Sequence, residues 1–225
     1  MIEVKDARKI SHYVTKLRID EFLHANLLEH IKLFLYKKCE HICRSDENLE
    51  YLFFLIEGKA KVYLTLKNGK SLLIQFYKPL KVIGDIEFLY MNHANSNIQV
   101  IEDTYCLAIP MDIIRKQMID DPAFLRFMCL SLGDKLFRLS KISSINLLYP
   151  LENRLASYIL AHDDPSHESF TDSLTEVSEL LGTSYRHLLR TFVNLEKQGA
   201  IRKTRKSVEI LDRGMLEKLA EELYE

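Results

Sequence analysis

Between about Tyr36 and Pro110, short apolar runs rich in Val, Ile, Leu, Phe and Tyr are broken by Gly58, by the pair Asn68-Gly69, by Pro79 and by Gly84. That is the pattern of successive β-strands. In AKVYLTL, Ala60, Val62, Leu64 and Leu66 share one face, and Lys61, Tyr63 and Thr65 share the other, as expected of a half-buried strand. Asn68-Gly69 fits a tight hairpin turn with positive φ, and SLLIQFY reads as the return strand. Together with IQVIEDTYCLAI, these runs predict an antiparallel roll or barrel.

After Pro110 the periodicity changes, and Asp121 to Tyr149 reads as one long helix. Asp121 can cap its first amides and Pro122 is tolerated in the first turn. About 28 helical residues would make a rod about 42 Å long. Leu125, Leu132 and Leu139 recur at every seventh position, with Cys129 and Leu136 between them. This apolar seam would either pair with a second copy of the chain or pack on the roll, and Gly133, Ser143 and Asn146 interrupt it. Pro150 ends the rod. LENRLASYILAH then predicts a second helix with Leu151, Leu155 and Ile159 on one side, followed by HDDPSHES as an exposed connector.

Ser173-Leu174-Thr175-Glu176 is a capping-box sequence, and Val177, Leu180 and Leu181 supply the buried face of the helix it starts. Gly182 falls where a helix turns, and Thr183 or Ser184 can cap the next helix, which carries Leu188, Leu189, Phe192 and Leu195 at helical spacing. Beyond EKQGAI, the segment IRKTRKSVEIL alternates across an expected hairpin, and Asp212 can cap a last helix from Arg213 to Tyr224. Helix, glycine turn, helix and wing is the resulting order.

Composition narrows the possibilities. A chain of 225 residues that is 47 % apolar has material for two cores. No apolar run reaches the roughly 20 residues of a membrane helix, and MIEVKDARKI is not a signal peptide, so a cytoplasmic protein without membrane contact is expected. Cys39, Cys43, Cys106 and Cys129 are then expected as reduced thiols. The formal net charge of -1 argues against a protein that coats nucleic acid over its whole surface. The local distribution differs: Arg186, Arg190, Lys197, Arg202, Lys203, Arg205 and Lys206 face the single acid Glu196 between Ser184 and Lys206. Such a patch is the footprint of phosphate neutralisation. Tyr185, Arg186 and Arg190 lie outside the apolar stripe, where arginine could present two donors to a guanine edge. Ser184 and His187 are candidates for placing the helix on phosphate, and Lys203, Arg205 and Lys206 for nonspecific wing contacts. The same arginines could instead be solvated surface charges.

In order along the chain, DENLEYLFFLIEGKAKVY, VIGDIEFL, PLENRLASYIL and VSELLGTSYRHLLRTFVNLEKQGAI resemble the cyclic-AMP receptor protein/FNR (Crp/Fnr) superfamily, and TSYRHLL resembles its YeiL-like branch. The resemblance implies an α+β fold: an N-terminal cyclic-nucleotide-binding-like antiparallel β-roll (jelly roll) over residues 1–120 with leading helices, a dimerisation helix over 121–149, and a winged helix-turn-helix over 150–225. It also implies a transcription regulator that binds double-stranded DNA as a homodimer on a roughly palindromic site. RNA polymerase is a further implied partner, with Asp163 and Asp164 in the connector as candidate contacts.

Departures from the family pattern bear on the ligand. Nucleotide-binding members hold ribose with a Gly-Glu pair and the cyclic phosphate with Arg-Ser or Arg-Thr. Here the corresponding pairs are Gly84-Asp85 and Asn95-Ser96, and Leu139-Ser140 keeps half of the hydroxyl pair expected on the dimer helix. Without the arginine, a buried phosphate would lack its bidentate partner. Cyclic AMP is therefore not expected as a cofactor, and the roll is read as a sensor of another signal or as a scaffold. Tyr185-Arg186 replaces an arginine followed by an acid, which implies a different operator, whereas Arg190 matches the family's basic position.

An iron–sulfur or other metal site is the rival sensor. On one straight strand, however, Cys39 and Cys43 would stand about 13 Å apart, too far for a common ion unless a local turn brings them together. No nucleophile, Walker-type loop or metal-protease motif points to an enzyme. A winged-helix module that contacts protein rather than DNA is the remaining alternative.

Overall fold

The computed structural model describes residues 1–67, 69, 71–90, 93–162, 173–204 and 208–220, apart from the side chains at 142, 145 and 146. In chain order it contains β1 (Ile2–Glu3), α1 (Ala7–Lys16), a 3-10 turn (Ile19–Glu21), α2 (Ala25–Leu28), β2 (Lys32–Tyr36), β3 (His41–Cys43), β4 (Tyr51–Glu57), β5 (Ala60–Thr65), β6 (Ser71–Tyr77), β7 (Lys81–Ile83), α3 (Asp85–Tyr90), β8 (Asn97–Val100) and β9 (Thr104–Pro110). There follow α4 (Met111–Met118), α5 (Pro122–Leu148), α6 (Leu151–Ala161), α7 (Leu174–Leu180), α8 (Tyr185–Lys197), β10 (Ile201–Lys203), β11 (Val208–Ile210) and α9 (Arg213–Ala220). Two compact units result, Met1–Val62 with Tyr77–Arg138, and Tyr63–Phe76 with Leu139–Glu225.

Two sheets build the β-roll, in the orders β1-β2-β9-β4-β7 and β3-β8-β5-β6. β9 is central to the first sheet, with Leu107 opposite both Leu33 of β2 and Phe54 of β4. All three are buried, together with Leu52, Ile109, Phe88, Phe124 and Met128. α5 enters this core because Asp121 accepts a hydrogen bond from the Phe124 amide at 2.7 Å, which fixes its first turn. Phe124 then meets Phe88 edge-on at 5.2 Å, and Phe127 stacks on Phe22 at 3.8 Å. Burying one such ring is worth about 1.5–3 kcal/mol. On another edge of the unit, the Glu57 carboxylate accepts hydrogen bonds from the Tyr13 hydroxyl and from Lys9 Nζ, pinning α1 to β4.

In the second unit, Leu151, Leu155 and Ile159 of α6 are buried as their spacing predicts. Arg154 Nη1 donates to the Leu181 carbonyl at 2.7 Å, and Asn153 Nδ2 donates to the Leu219 carbonyl at 2.9 Å. Those two bonds tie α6 to the ends of α7 and α9. Phe76 lies 5.9 Å from the Tyr158 ring and edge-on to His162 at 5.3 Å, so this part of the hairpin packs on α6.

Three local expectations need correction or restriction. Lys61 alternates with Val62 as predicted but is only 1 % exposed, so the supposed outer face of β5 is closed at that point. α3 follows Gly84 within VIGDIEFL, where only a glycine break and a strand were legible. Gly69 takes the predicted positive φ, +79°, and its amide bonds the Leu66 carbonyl, whereas Asn68 lies outside the described residues.

Gly58 sits between β4 and β5 at φ +90°, where an added Cβ would lie 2.4 Å from Thr104 Oγ1 and 2.7 Å from the Asp103 carbonyl oxygen. Left-handed backbone and lack of space both demand glycine there. Gly58→Ala is expected to lower unfolding stability by at least about 2 kcal/mol, read from the midpoint of urea denaturation, whereas Gly69→Ala meets no neighbour and carries only the conformational cost.

Candidate nucleic-acid interface and β-roll site

α7 and α8 form the predicted helix-turn-helix within the second unit. Ser173 Oγ accepts from the Glu176 amide at 3.1 Å and starts α7. Gly182 takes φ +60° and the Thr183 amide returns to the Ser178 carbonyl at 2.8 Å, closing the turn. Ser184 is the N-cap of α8, its Oγ accepting from the His187 amide at 3.2 Å, while Thr183 Oγ1 lies 3.3 Å from His187 Nδ1. Leu188, Thr191, Phe192 and Leu195 face inward, and Leu189 is half-buried beside them.

Burial of that face leaves Tyr185, Arg186, His187, Arg190, Val193, Asn194 and Lys197 exposed. At about 100° per residue, Arg186, Arg190, Val193 and Lys197 fall within about 60° of one another. Three cations therefore form a ridge along the outer side of α8, with Tyr185 and His187 at its N-terminal end. A ridge of this width suits a groove lined by phosphates, and Arg186 at its start stands in the first turn, at the positive end of the helix.

The wing is the β10–β11 hairpin, paired Ile201↔Ile210, Arg202↔Glu209 and Lys203↔Val208. Arg202 is ion-paired to Glu209 across it at 3.0 Å. Lys203 is half-buried: its amide donates to Glu196 at 2.7 Å and its ammonium lies 5.9 Å from the Phe192 ring. It is thus partly engaged in holding the hairpin to α8. Arg205 and Lys206 lie outside the described residues, as do Asp163 and Asp164.

In the first unit, Gly84 and Asp85 occupy the turn from β7 into α3. Gly84 has φ +99°, and a Cβ there would meet Leu49 at 2.8 Å. Asp85 is buried, and its carboxylate lies 2.7 Å from Lys135 Nζ and 3.3 Å from Ser131 Oγ, both on α5. Glu87 is nearby, its carboxyl raised above the usual range by burial and by the Asp85 charge. Asn95 is exposed and Ser96 half-buried, with the Ser96 carbonyl 3.6 Å from Cys43 Sγ. Leu139 and Ser140 belong to the second unit and are exposed, and the Ser140 carbonyl accepts from Ser144 Oγ at 3.1 Å. Sequence reasoning missed Lys135 and Ser131. Their signal was available only as polar residues on the roll side of an apolar helix.

The heptad positions on α5 divide. Leu125 packs against the first unit's core and Leu132 is half-buried, whereas Cys129, Leu136 and Leu139 are exposed. Leu130 and Phe137, outside the predicted seam, are 70 % and 73 % exposed. Cys129, Leu130, Gly133, Leu136, Phe137, Ser140, Ser144, Leu147 and Leu148 share an arc of about 120° centred on Gly133, opposite the face that carries Phe124, Met128 and Lys135.

The thiols are equally divided. Cys39 and Cys129 are exposed, while Cys43 and Cys106 are buried. Cys39 is not on a strand with Cys43: it occupies a left-handed turn at φ +71° before β3. Burial, reinforced by the Glu87 charge, pushes the Cys43 thiol up to about 12, and burial raises Cys106 further. Among the described residues, no three His, Cys, Asp or Glu side chains are grouped to hold a metal ion, and no helix is long and apolar enough to cross a membrane.

Comparison with known proteins agrees with this architecture. Residues 33–121 match the family model of the cyclic nucleotide-binding domain, and residues 153–219 match that of the Crp-like helix-turn-helix domain. The regulatory protein YeiL of Escherichia coli O157:H7 is 34 % identical over 192 residues, covering 85 % of this chain and 87 % of that protein. Among solved structures, a transcriptional regulator of the Crp/Fnr family from Eubacterium rectale superposes with a TM-score of 0.78 at 15 % identity, over 90 % of this chain and 97 % of that one. A CRP-family transcriptional regulator from Thermus thermophilus superposes with a TM-score of 0.67 at 19 % identity, over 85 % and 98 % respectively. The helix-turn-helix with its basic outer ridge, the roll that precedes it and the sequence match across most of the chain lead to one conclusion: this protein belongs to the Crp/Fnr family of DNA-binding transcription regulators.

Proposed function

We propose that the chain acts in the cytoplasm as a homodimer that reads a roughly palindromic DNA site, in response to a signal other than a cyclic nucleotide or to none, and that it has no catalytic role. The ridge of Arg186, Arg190 and Lys197 on the solvent side of α8 carries this reading. Arg186 and Arg190 stand one turn apart near the helix start, the part of a recognition helix that reaches base edges. Tyr185 flanks them, and Ser184 and His187 lie where phosphate would approach the first turn. Arg205, Lys206 and the outer side of Lys203 would add nonspecific contacts from the wing.

The Gly133-centred arc on α5 supports dimerisation. An exposed apolar stripe on a helix of 27 residues is a surface that a twin helix can cover, and the missing side chain at Gly133 lets the two backbones approach. Two α8 helices related by the resulting two-fold axis would enter major grooves about 34 Å apart. RNA polymerase would be the further partner, with Asp163 and Asp164 as its candidate contacts.

The turn at Asn95-Ser96 offers no guanidinium to a phosphate, so cyclic AMP is a poor fit. Thiolate-held iron or an iron–sulfur cluster also fits poorly, because Cys43 and Cys106 are buried with raised thiols.

Selection from random duplexes with the purified protein is expected to enrich a two-fold symmetric site. Arg186→Ala should weaken binding to that site by about 1–3 kcal/mol and relax the preference at particular bases, while Lys197→Ala should weaken all sequences alike and flatten the salt dependence. Absence of any enrichment, with Arg186→Ala indistinguishable from the parent, would assign the winged helix to protein contacts. Phe137→Glu with Leu130→Glu should shift the sedimentation coefficient from dimer to monomer; an unchanged value would place the interface elsewhere. A maleimide added to the native protein is expected to label Cys39 quickly, Cys129 slowly while a twin helix covers it, and Cys43 and Cys106 only after denaturation.

A further inference from the structure

The outer side of α8 carries more than cations. Tyr185, Leu189 and Val193 recur at every fourth position, so they form one row along the helix, turned by about 40° at each step. The ends of that row stand in water: Tyr185 is 47 % exposed and Val193 46 %, with Leu189 half-buried between them. Arg186, Arg190 and Asn194 make a parallel row one residue further on, and all three are exposed. The outer surface of one helix is therefore divided lengthwise into an apolar strip and a polar, mainly cationic one.

The helix itself does not call for this division. An exposed helical position favours alanine or a long unbranched side chain, whereas a β-branched valine leaves apolar area in water and lowers helix propensity. The buried side of α8 is already supplied by Leu188, Thr191, Phe192 and Leu195, so the core of the module does not depend on Val193. Neither row contains an acid. Glu196, the one acid of α8, is half-buried and accepts the Lys203 amide at 2.7 Å. An apolar strip beside unopposed cations suits a partner that presents methyl groups and negative charge side by side. The major groove of double-stranded DNA does so: the thymine C5-methyl lies beside the acceptor edges of guanine and adenine, and phosphates line both walls.

We infer that the row Tyr185, Leu189 and Val193 reads thymine: its apolar side chains lie against C5-methyl groups while Arg186 and Arg190 take guanine edges or phosphates alongside. The inference rests on the reading of α8 as a DNA-recognition helix, and it goes further by naming the base that is selected and the group on it that is read. From Tyr185 to Val193 the helix rises about 12 Å, a span of about three base-pair steps. Each half of the selected site should then hold at least two thymines within about four base pairs of one another.

The test uses the full chain and the duplex that selection enriches. Each thymine is replaced in turn by deoxyuridine, which removes only the C5-methyl, and binding is titrated for the parent, Val193→Ala and Tyr185→Ala. Both variants should unfold close to the parent temperature, because neither side chain is buried. In the parent, loss of a methyl covered by the row should weaken binding about fourfold. At one such position the loss should shrink to less than about twofold in Val193→Ala, and at another in Tyr185→Ala, since a contact already removed cannot be lost again. Parental affinity at every deoxyuridine position would overturn the inference while leaving sequence-specific binding through Arg186 intact. Losses that persist undiminished in both variants would overturn it too, because the methyl would then be read by another side chain or through duplex shape. Failure of any duplex to be enriched would remove the DNA reading itself, and the inference with it.

Discussion

The fixed angular spacing of the α-helix constrains α5 more than any single contact in the molecule. Phe124 and Met128 must face the first unit's core, and Ser131 and Lys135 continue that side to meet Asp85. Everything else on the helix follows by rotation. The apolar residues on the opposite side have no core to enter, so Leu130, Phe137, Leu147 and Leu148 are left in water. Such an arc costs solubility unless another surface covers it.

The same helix carries two kinds of interaction with the roll, and they contribute differently. The aromatic contacts of Phe124 and Phe127 bury area and are tolerant of small shifts, because dispersion and the hydrophobic effect are non-directional. The Asp85–Lys135 joint is directional: two buried charges and a carbonyl must meet at hydrogen-bond distance or the desolvation of both goes uncompensated. Apolar packing therefore holds α5 against the roll, while the ion pair fixes its register.

In the C-terminal unit the organisation is set by local signals rather than by long-range charge. Ser173, Gly182, Ser184 and Asp212 stand at helix boundaries, three of them bonding the amides that the helix leaves open. Once α8 is started at Ser184 and its Leu188, Phe192 and Leu195 are buried, the direction of Arg186, Arg190 and Lys197 is decided. The cations need no partner to orient them. They are placed by what the other side of the helix must bury.

The sequence by itself determined the strands that alternate polar and apolar positions, the start of α5 at Asp121, the two-helix module with its glycine turn and the concentration of positive charge upon it. These are properties of near neighbours, set by period, caps and turn residues that act within a few positions. Tertiary structure alone decided which side of α5 is exposed, that Lys61 is buried, that Lys203 leans on Phe192, and that Lys135 completes Asp85. A strict seven-residue repeat drifts by about 20° per heptad on a straight helix, so Leu125, Leu132 and Leu139 could not reveal whether they faced core or solvent until Phe124 and Met128 were seen to enter the core. Asp85 and Lys135 are fifty positions apart, and only the fold that brings β7 beside α5 makes them one joint.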